Sequence, residues 1–260
     1  MRAHWPEYAI EAAGIALFML AAVGCTVALE HPASPLRAAL PGALARRALM
    51  GIAMGTTAMA LVYSPWGQRS GAHFNPALTL AFLRLGRVAP ADAAGYVAAQ
   101  FAGALAGVAL AGAALGTPPA HAAVRFAATV PGARGAGVAF AAEAAISFGL
   151  MLTVLVVSNT PRIARWTGAC CALLVASYIA FEAPLSGMSM NPARTLGSAT
   201  GARVFTSIWI YFAAPPAGML LAAESYVRIA GARRVRCAKL HHGGGRCIFR
   251  CGFRGGRSLR

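Results

Sequence analysis

The chain has few charged residues and very few acidic ones. Only 12% of its 260 residues are Asp, Glu, Lys or Arg, and Asp and Glu together number seven. A soluble domain has about a quarter of its residues charged. A composition that is 58% hydrophobic therefore excludes an ordinary soluble globule and predicts a membrane protein.

Signatures of catalysis and of a disulfide framework are also missing. The sequence has no Ser, His and Asp set and no metalloprotease spacing in a segment that would line a pocket. Cys25, Cys170 and Cys171 lie in apolar runs, where cysteine is usually a small packing residue. We therefore expect neither an enzyme nor a bound cofactor.

The net charge of +16 is concentrated after the last apolar run. A basic tail beside a membrane is typical of contact with anionic lipid, so we expect no nucleic-acid partner. The tail also contains residue types that bind metals, namely Cys237, His241, His242, Cys247 and Cys251. Their spacing permits a zinc site, but no CxxC pair is present. We expect a disordered, Gly- and Arg-rich cytoplasmic tail over 231–260 and no metal.

Six apolar runs have the length and composition of membrane spans. They cover 8–29, 44–63, 91–115, 136–157, 166–181 and 204–227. The first is too long for the apolar part of a cleaved signal peptide, so we expect it to be retained. A Pro-, Gly- and Ala-rich connection at 116–135 divides the membrane part, 1–230, into repeats at about 8–115 and 136–230.

Two short segments are copies of each other. SGAHFNPALT at 70–79 and SGMSMNPART at 186–195 share Ser, Gly, Asn, Pro, Ala and Thr at matching positions. Asn is a preferred N-cap and Pro a preferred first helical residue, so helices should begin at Pro76 and Pro192. Their apolar residues end near 83 and 200. Such helices would be roughly 12 to 14 Å long, less than half the bilayer core.

The odd number of spans in each half fixes the relation between the halves. With three spans per half, the second repeat must enter the membrane from the opposite face, and the two short helices then meet near the midplane. We predict an all-α membrane protein with six transmembrane helices plus two re-entrant half-helices in an inverted repeat. This topology puts sixteen basic residues, ten of them from Arg228 onward, on the side of both termini and six on the other. That distribution favours cytoplasmic N- and C-termini.

The point at which the two half-helices meet predicts a defined chemistry. Asn75 and Asn191 would cap their helices through the side-chain oxygen, which leaves each amide nitrogen to donate toward the space between them. A water held there by its oxygen cannot readily accept a proton from its neighbour. Two helix N-termini, each carrying about +0.5 charge, further oppose protons and other cations.

These features together resemble the aquaporin and glycerol-facilitator family. The resemblance covers about residues 8–230. It includes both copies of the Asn-Pro-Ala segment, Glu11 and Glu143 at the head of the repeats, and AAQFAGA at 98–104. The pattern is nearest to bacterial members, which implies a multi-pass protein of a bacterial inner membrane. The family also implies a homotetramer in the lipid bilayer with one pore per subunit. The motif residues carried over are Asn75, Pro76, Ala77, Asn191, Pro192 and Ala193.

The resemblance further implies roles for individual side chains. Arg194 matches the arginine of the outer constriction, and Ile179 stands where water-selective members have His. Met54 or Gly55 stands where they have Phe, and Met188 where some members have Cys or Ala.

Three further positions complete the implied site. His73 would line the cytoplasmic half of the pore, with a purely structural role in the loop as the alternative. Glu11 and Glu143 would accept hydrogen bonds from the re-entrant loops, because a lone carboxylate in the membrane is costly.

Two signals about the substrate disagree. Ile179 and a small or flexible partner make the constriction more apolar, which favours glycerol, urea or other small neutral solutes. Thr195 and Ala199, and the pair Tyr211 and Phe212, follow the water-channel pattern instead. We predict a passive channel for water and small neutral solutes that excludes protons and ions. The alternatives left open are a glycerol-, urea- or metalloid-type facilitator, an ion-coupled secondary transporter that uses Glu11 or Glu143, and an adhesive or scaffolding protein with a closed pore.

Overall fold

The structure, a computed structural model, describes residues 4–242 and 247–253. Within these residues the chain is helical and contains no strand. The helices are α1 (Trp5–Glu30), α2 (Pro35–Ala39), α3 (Ala43–Tyr63), α4 (Pro65–Ser70), α5 (Pro76–Arg84), α6 (Pro90–Leu115), α7 (Gly135–Ser158), α8 (Thr167–Phe181), α9 (Ala183–Ser186), α10 (Pro192–Ala202) and α11 (Trp209–Ala230). Single 3-10 turns lie at Pro118–Ala120, Arg125–Ala127, Ala164–Trp166 and Ala232–Arg234.

Six long helices form the predicted spans. Helices α1, α6 and α7 and the stretch Ala164–Phe181 are each long and apolar enough to cross a membrane. Helices α3 and α11, with 21 and 22 residues, supply the other two. The largest difference from the predicted boundaries is at α11, which begins at Trp209 rather than near 204. The preceding residues form a turn in which Ser207 has a φ of 50°.

The helices pair in a way that repeats between the halves. Helix α1 packs on α6, α7 packs on α11, and α3 packs on α8 between the halves. Gly103 of α6 faces the backbone of Ala12, and Gly218 of α11 faces the backbone of Ala144 at the equivalent place. A Cβ atom at either glycine would collide with that backbone, so both contacts depend on the absence of a side chain.

The two half-helices interlock the repeats. Helix α5 has 9 residues and α10 has 11, and both begin at the predicted prolines, Pro76 and Pro192. Helix α5 of the first repeat packs on α11 of the second, and α10 packs on α6 of the first. The short helices α4 and α9, which were not predicted, end at Gly71 and Gly187 with φ values of 100° and 82°. The two loops that lead to the half-helices therefore begin with the same backbone reversal.

The described part of the tail packs under the helix bundle, where the sequence predicts disorder over 231–260. The backbone amides of Leu240 and Arg250 donate to the carbonyls of Gly71 and Arg87 at 3.1 and 3.0 Å. Six apolar side chains of these segments are buried, namely Val235, Cys237, Ala238, Leu240, Cys247 and Phe249. They fall in runs of three residues or fewer, so no long apolar run predicted this packing. The expectation of disorder at 243–246 and 254–260 lies outside the described residues.

Candidate functional site

The two half-helices begin with matching N-caps. The side-chain oxygen of Asn75 accepts a hydrogen bond from the Ala77 amide at 2.9 Å. The side-chain oxygen of Asn191 accepts from the amides of Ala193 and Arg194 at 3.0 and 3.2 Å. Each cap satisfies amides that the first helical turn leaves without a partner, so the sequence Asn-Pro-Ala fixes where each half-helix starts.

The two caps are also joined to each other's loop. Asn75 Nδ2 donates to the Met190 carbonyl, and Asn191 Nδ2 donates to the Phe74 carbonyl, both at 2.8 Å. The sequence predicted that both amide nitrogens would be entirely available. In the structure each amide donates one N–H to the opposite loop, and its second N–H can donate to a molecule in the channel. This exchange fixes the relative orientation of the two donors.

A buried carboxylate braces the first loop. Glu11 accepts hydrogen bonds from the Ser70 hydroxyl at 2.7 Å and from the amides of His73 and Phe74 at 3.1 and 2.5 Å. The Gln100 side chain donates to the same carboxylate at 2.8 Å. Four donors therefore hold a carboxylate that is fully buried, which offsets much of the cost of burying it.

The second loop is braced in the same way. Glu143 accepts from the Ser186 hydroxyl and from the amides of Ser189 and Met190, each at 2.7 Å. The loops therefore depend on one carboxylate each, placed on the first helix of each repeat.

Two tyrosines add a second pair of matching braces. The Tyr96 hydroxyl donates to the Ser70 carbonyl at 2.6 Å, and the Tyr211 hydroxyl donates to the Ser186 carbonyl. The sequence motifs did not predict this role for the two tyrosines. The signal was present in the equal spacing of seven residues from each tyrosine to Gly103 and Gly218.

The aromatic pair at the start of α11 does not line the channel. Tyr211 is buried and contacts the loop before α10 rather than the cavity. Phe212 is 40% exposed and stacks on Phe101 with ring centroids 5.9 Å apart. The water-channel pattern at these two positions therefore reflects loop bracing and helix packing, not the chemistry of the constriction.

A cavity of about 360 Å³ passes between the two N-caps. It brings together most of the residues that the resemblance places at the channel: His73, Asn75, Asn191, Arg194, Ile179, Met188 and Met54. Gly55 lies outside it, because a Cβ atom there would meet the Ala172 carbonyl of α8. Of the two alternatives for the wall on α3, Met54 lines the cavity and Gly55 packs between helices.

We call the end of the cavity beyond Arg194 the arginine side. Arg194 Nη1 is buried and has no hydrogen-bond partner within residues 4–242 and 247–253, so this donor is available to a molecule in the cavity. Glu30, Arg47 and Arg125 also line this end. Arg125 belongs to the connection at 116–135, for which the sequence predicted only a linking role.

The opposite end, the tail side, is covered by the C-terminal segment. His73 Nε2 donates to the Ala238 carbonyl at 2.8 Å. The His73 ring lies between the rings of Phe82 and Phe249, with centroid distances of 5.2 and 5.4 Å. Leu240 lines the same cavity. His73 therefore sits at the point where the tail meets the channel.

Two tail groups beyond the spans have shifted pKa values. Burial lowers the pKa of His241, whose ring packs against Tyr63 at 5.2 Å. A hydrogen bond from the Cys237 thiol lowers the pKa of Cys247 to about 5. These shifts favour the neutral imidazole of His241 and the thiolate of Cys247.

Comparison with known proteins identifies relatives of the same kind. The family model "Major intrinsic protein" matches residues 2–226. "Aquaporin NIP1-3" of Oryza sativa subsp. japonica is 40% identical over 177 residues, which cover 67% of this chain and 59% of the relative. "Glycerol uptake facilitator protein-like 6" of Lactiplantibacillus plantarum is 35% identical over 182 residues, with 67% and 81% covered. The chain thus matches about three fifths of the length of the rice relative.

A solved structure shares the fold. The aquaglyceroporin from Plasmodium falciparum superposes with a TM-score of 0.75, covering 89% of this chain and 98% of that one. The two are 19% identical in sequence. This likeness supports the arrangement of six spans and two half-helices, and the chemistry of the channel rests on the residues described above.

Proposed function

Because this chain belongs to the major intrinsic protein family, we propose that it is a passive membrane channel for water and small neutral solutes. The relatives named above carry the names of an aquaporin and a glycerol uptake facilitator. The residues around the cavity provide the binding groups that such solutes need.

The exchange of hydrogen bonds between the two caps carries this proposal. Asn75 and Asn191 each keep one N–H for the cavity, and both lie at helix N-termini. A water between them accepts two hydrogen bonds through its oxygen and cannot accept a proton from the next water. The two helix ends add positive potential at the same point, which opposes the entry of cations.

The constriction favours solutes besides water. Ile179, Met188 and Met54 give apolar lining to the cavity that Arg194 also lines. One fixed donor group and an apolar wall hold water less firmly than two polar walls do. A small neutral solute with one or two hydroxyl or amide groups finds both a donor and an apolar surface there.

The same structure argues against the alternative of an ion-coupled transporter. Glu11 and Glu143, its candidate coupling sites, already accept four and three hydrogen bonds. A carboxylate saturated by donors from a loop has little capacity left for a transported ion.

We propose the membrane topology and assembly as follows. The tail side is cytoplasmic, and the protein is a homotetramer in the cell membrane with one channel per subunit. The ion pair between Arg84 and Glu224 at 2.7 Å and the bond from Arg250 to Arg87 support the placement of these basic residues on the side of the tail. Exposed apolar side chains on the spans, such as Leu173 and Leu221, supply the surface for lipid or for neighbouring subunits.

Osmotic shrinkage of proteoliposomes tests the function. The protein should accelerate shrinkage in a sucrose gradient, because water leaves through the channel. In a glycerol gradient the vesicles should shrink and then re-swell faster than empty ones. Equal rates with and without protein, under every tail condition described below, would reject the channel.

A further inference from the structure

Four tail side chains form a cluster that the channel function does not use. They are Cys237, His242, Cys247 and Cys251, and their ligand atoms all lie within 4.8 Å of one another. The sulfurs of Cys237 and Cys247 are 3.6 Å apart. His242 Nε2 is 3.1 Å from the Cys251 sulfur. Two of these side chains are buried and two are half-buried.

The geometry of this cluster matches a tetrahedral zinc site. With Zn–S near 2.3 Å and Zn–N near 2.0 Å, tetrahedral ligands lie about 3.5 to 3.8 Å from one another. The separations of 3.1 to 4.8 Å in the cluster bracket that range. Three thiols and one imidazole are also a donor set that zinc adopts in closed structural sites, where four protein ligands leave no open position.

The tail needs such a cross-link to hold its fold. Beyond the turn at Ala232–Arg234, the described tail contains no further helix of α type and no strand. Its buried apolar residues are few, and the hydrogen bonds that join it to the bundle are scattered, with examples at Gly71, His73, Arg87 and Asn159. A metal that joins four points of a short segment supplies folding free energy that so small a core does not.

The positions of the four ligands connect the cluster to the channel. Ala238, which accepts a hydrogen bond from His73, and Leu240, which lines the cavity, lie between Cys237 and His242 in the sequence. Phe249, which stacks on His73, lies between Cys247 and Cys251. Each pair of ligands therefore encloses a segment that touches the tail side of the channel. Fixing the ligands fixes both segments against His73.

We propose that Cys237, His242, Cys247 and Cys251 bind one zinc ion, and that the zinc-bound tail narrows the channel at His73. Loss of zinc releases Leu240 and Phe249 and opens the tail side. The gating part rests on the channel function proposed above, whereas the metal site does not. A Cys237–Cys247 disulfide is the competing way to cross-link the tail, because these sulfurs are adjacent.

Metal content tests the site without any transport measurement. Full-length protein purified with reductant and loaded with Zn²⁺ should hold one zinc per chain. The double variant Cys237→Ser, Cys247→Ser should lose it, and Cys170→Ser, a cysteine of α8 outside the cluster, should keep it. Replacement of the zinc by Co²⁺ should give thiolate-to-cobalt absorption in the wild type and not in the double variant. Absence of zinc in the wild type, or equal zinc in the double variant, would overturn the site.

The same samples distinguish zinc from a disulfide. Intact mass under non-reducing conditions should show all thiols reduced in the zinc-bound protein. A loss of two hydrogens per chain that reverts with reductant, together with an absence of zinc, would assign the cross-link to a disulfide instead.

Water permeability tests the gate. A membrane-permeant zinc chelator should raise the osmotic shrinkage rate of wild-type proteoliposomes several fold. The double variant and Leu240→Gly should start at the high rate and show little response, while Cys170→Ser should respond like the wild type. The chelator arm requires no substitution, so it does not depend on the folding of a variant.

The possible failures are separable. If the wild type conducts water and binds zinc but the chelator does not change its shrinkage rate, the gate is rejected and a structural zinc site remains. A protein that binds zinc but conducts in none of these states, Leu240→Gly included, would reject the proposed channel function and the gate with it, while leaving the zinc site.

Discussion

At the scale of single residues, the channel depends on a few side chains with more than one task. Asn75 caps α5 with its oxygen and binds the opposite loop with its nitrogen. Residue type and spacing predicted the caps, because a cap needs only the local sequence. They did not predict the cross-loop bond, because it depends on where the other repeat places the Met190 carbonyl. The choice between Met54 and Gly55 also needed the packing of α3 on α8.

Replacement of Ile179 by His should make the channel more selective for water. Histidine adds bulk and a further polar group to the cavity that Arg194 also lines. We expect glycerol permeability to fall several fold and water permeability to fall less, both measured in the same proteoliposomes. Phe212→Leu, outside the cavity, is the matched control and should leave the ratio unchanged. An unchanged ratio in Ile179→His would show that this residue does not control selection.

Replacement of Glu143 by Leu should destabilise the protein. The change removes the acceptor for the amides of Ser189 and Met190, and each buried donor left unsatisfied costs about 1–3 kcal/mol. The thermal unfolding midpoint in detergent should fall clearly. Glu224→Leu, which breaks a partly exposed ion pair with Arg84, is the control and should cost under about 1 kcal/mol. Equal midpoints for the two variants would argue against the bracing role.

At the scale of elements, the repeats explain why so much of the fold follows from the sequence. Apolar length predicted the six spans, and the Asn-Pro pair predicted the start of each half-helix. Helices α4 and α9 were missed because six and four residues give no periodic signal. The sequence also did not predict the packing of residues 232–242 and 247–253. It depends on backbone bonds to Gly71 and Arg87 that lie far away in the sequence.

The helix contacts give an element-scale prediction. Gly103→Ala should disrupt the packing of α6 on α1, because the new Cβ collides with the Ala12 backbone. Gly24→Ala in α1, where nothing lies within 4 Å, should be neutral or stabilise the helix by up to about 1 kcal/mol. Size-exclusion profiles and thermal midpoints of the two purified variants compare these outcomes. A Gly103→Ala protein as stable as Gly24→Ala would contradict the close packing.

At the scale of the whole molecule, the inverted repeat gives the channel two similar halves with different ends. The arginine side presents Arg194 and charged residues of α1, α3 and the connection. The tail side presents His73 beneath the C-terminal segment. The repeats alone would make the two mouths alike, so the charged residues of the arginine side and the tail on the other side make them different.

Simultaneous recording of water and proton movement tests the central claim most directly. Proteoliposomes with a pH-sensitive dye inside should be exposed to an osmotic gradient and a pH gradient, with zinc chelated to release the tail. The account predicts rapid shrinkage while the internal pH changes no faster than it does in empty vesicles. The reason is that the donors of Asn75 and Asn191 interrupt the proton relay. A protein-dependent pH change that accompanies the shrinkage, and disappears in Glu11→Gln, would contradict the account and favour a proton-coupled transporter.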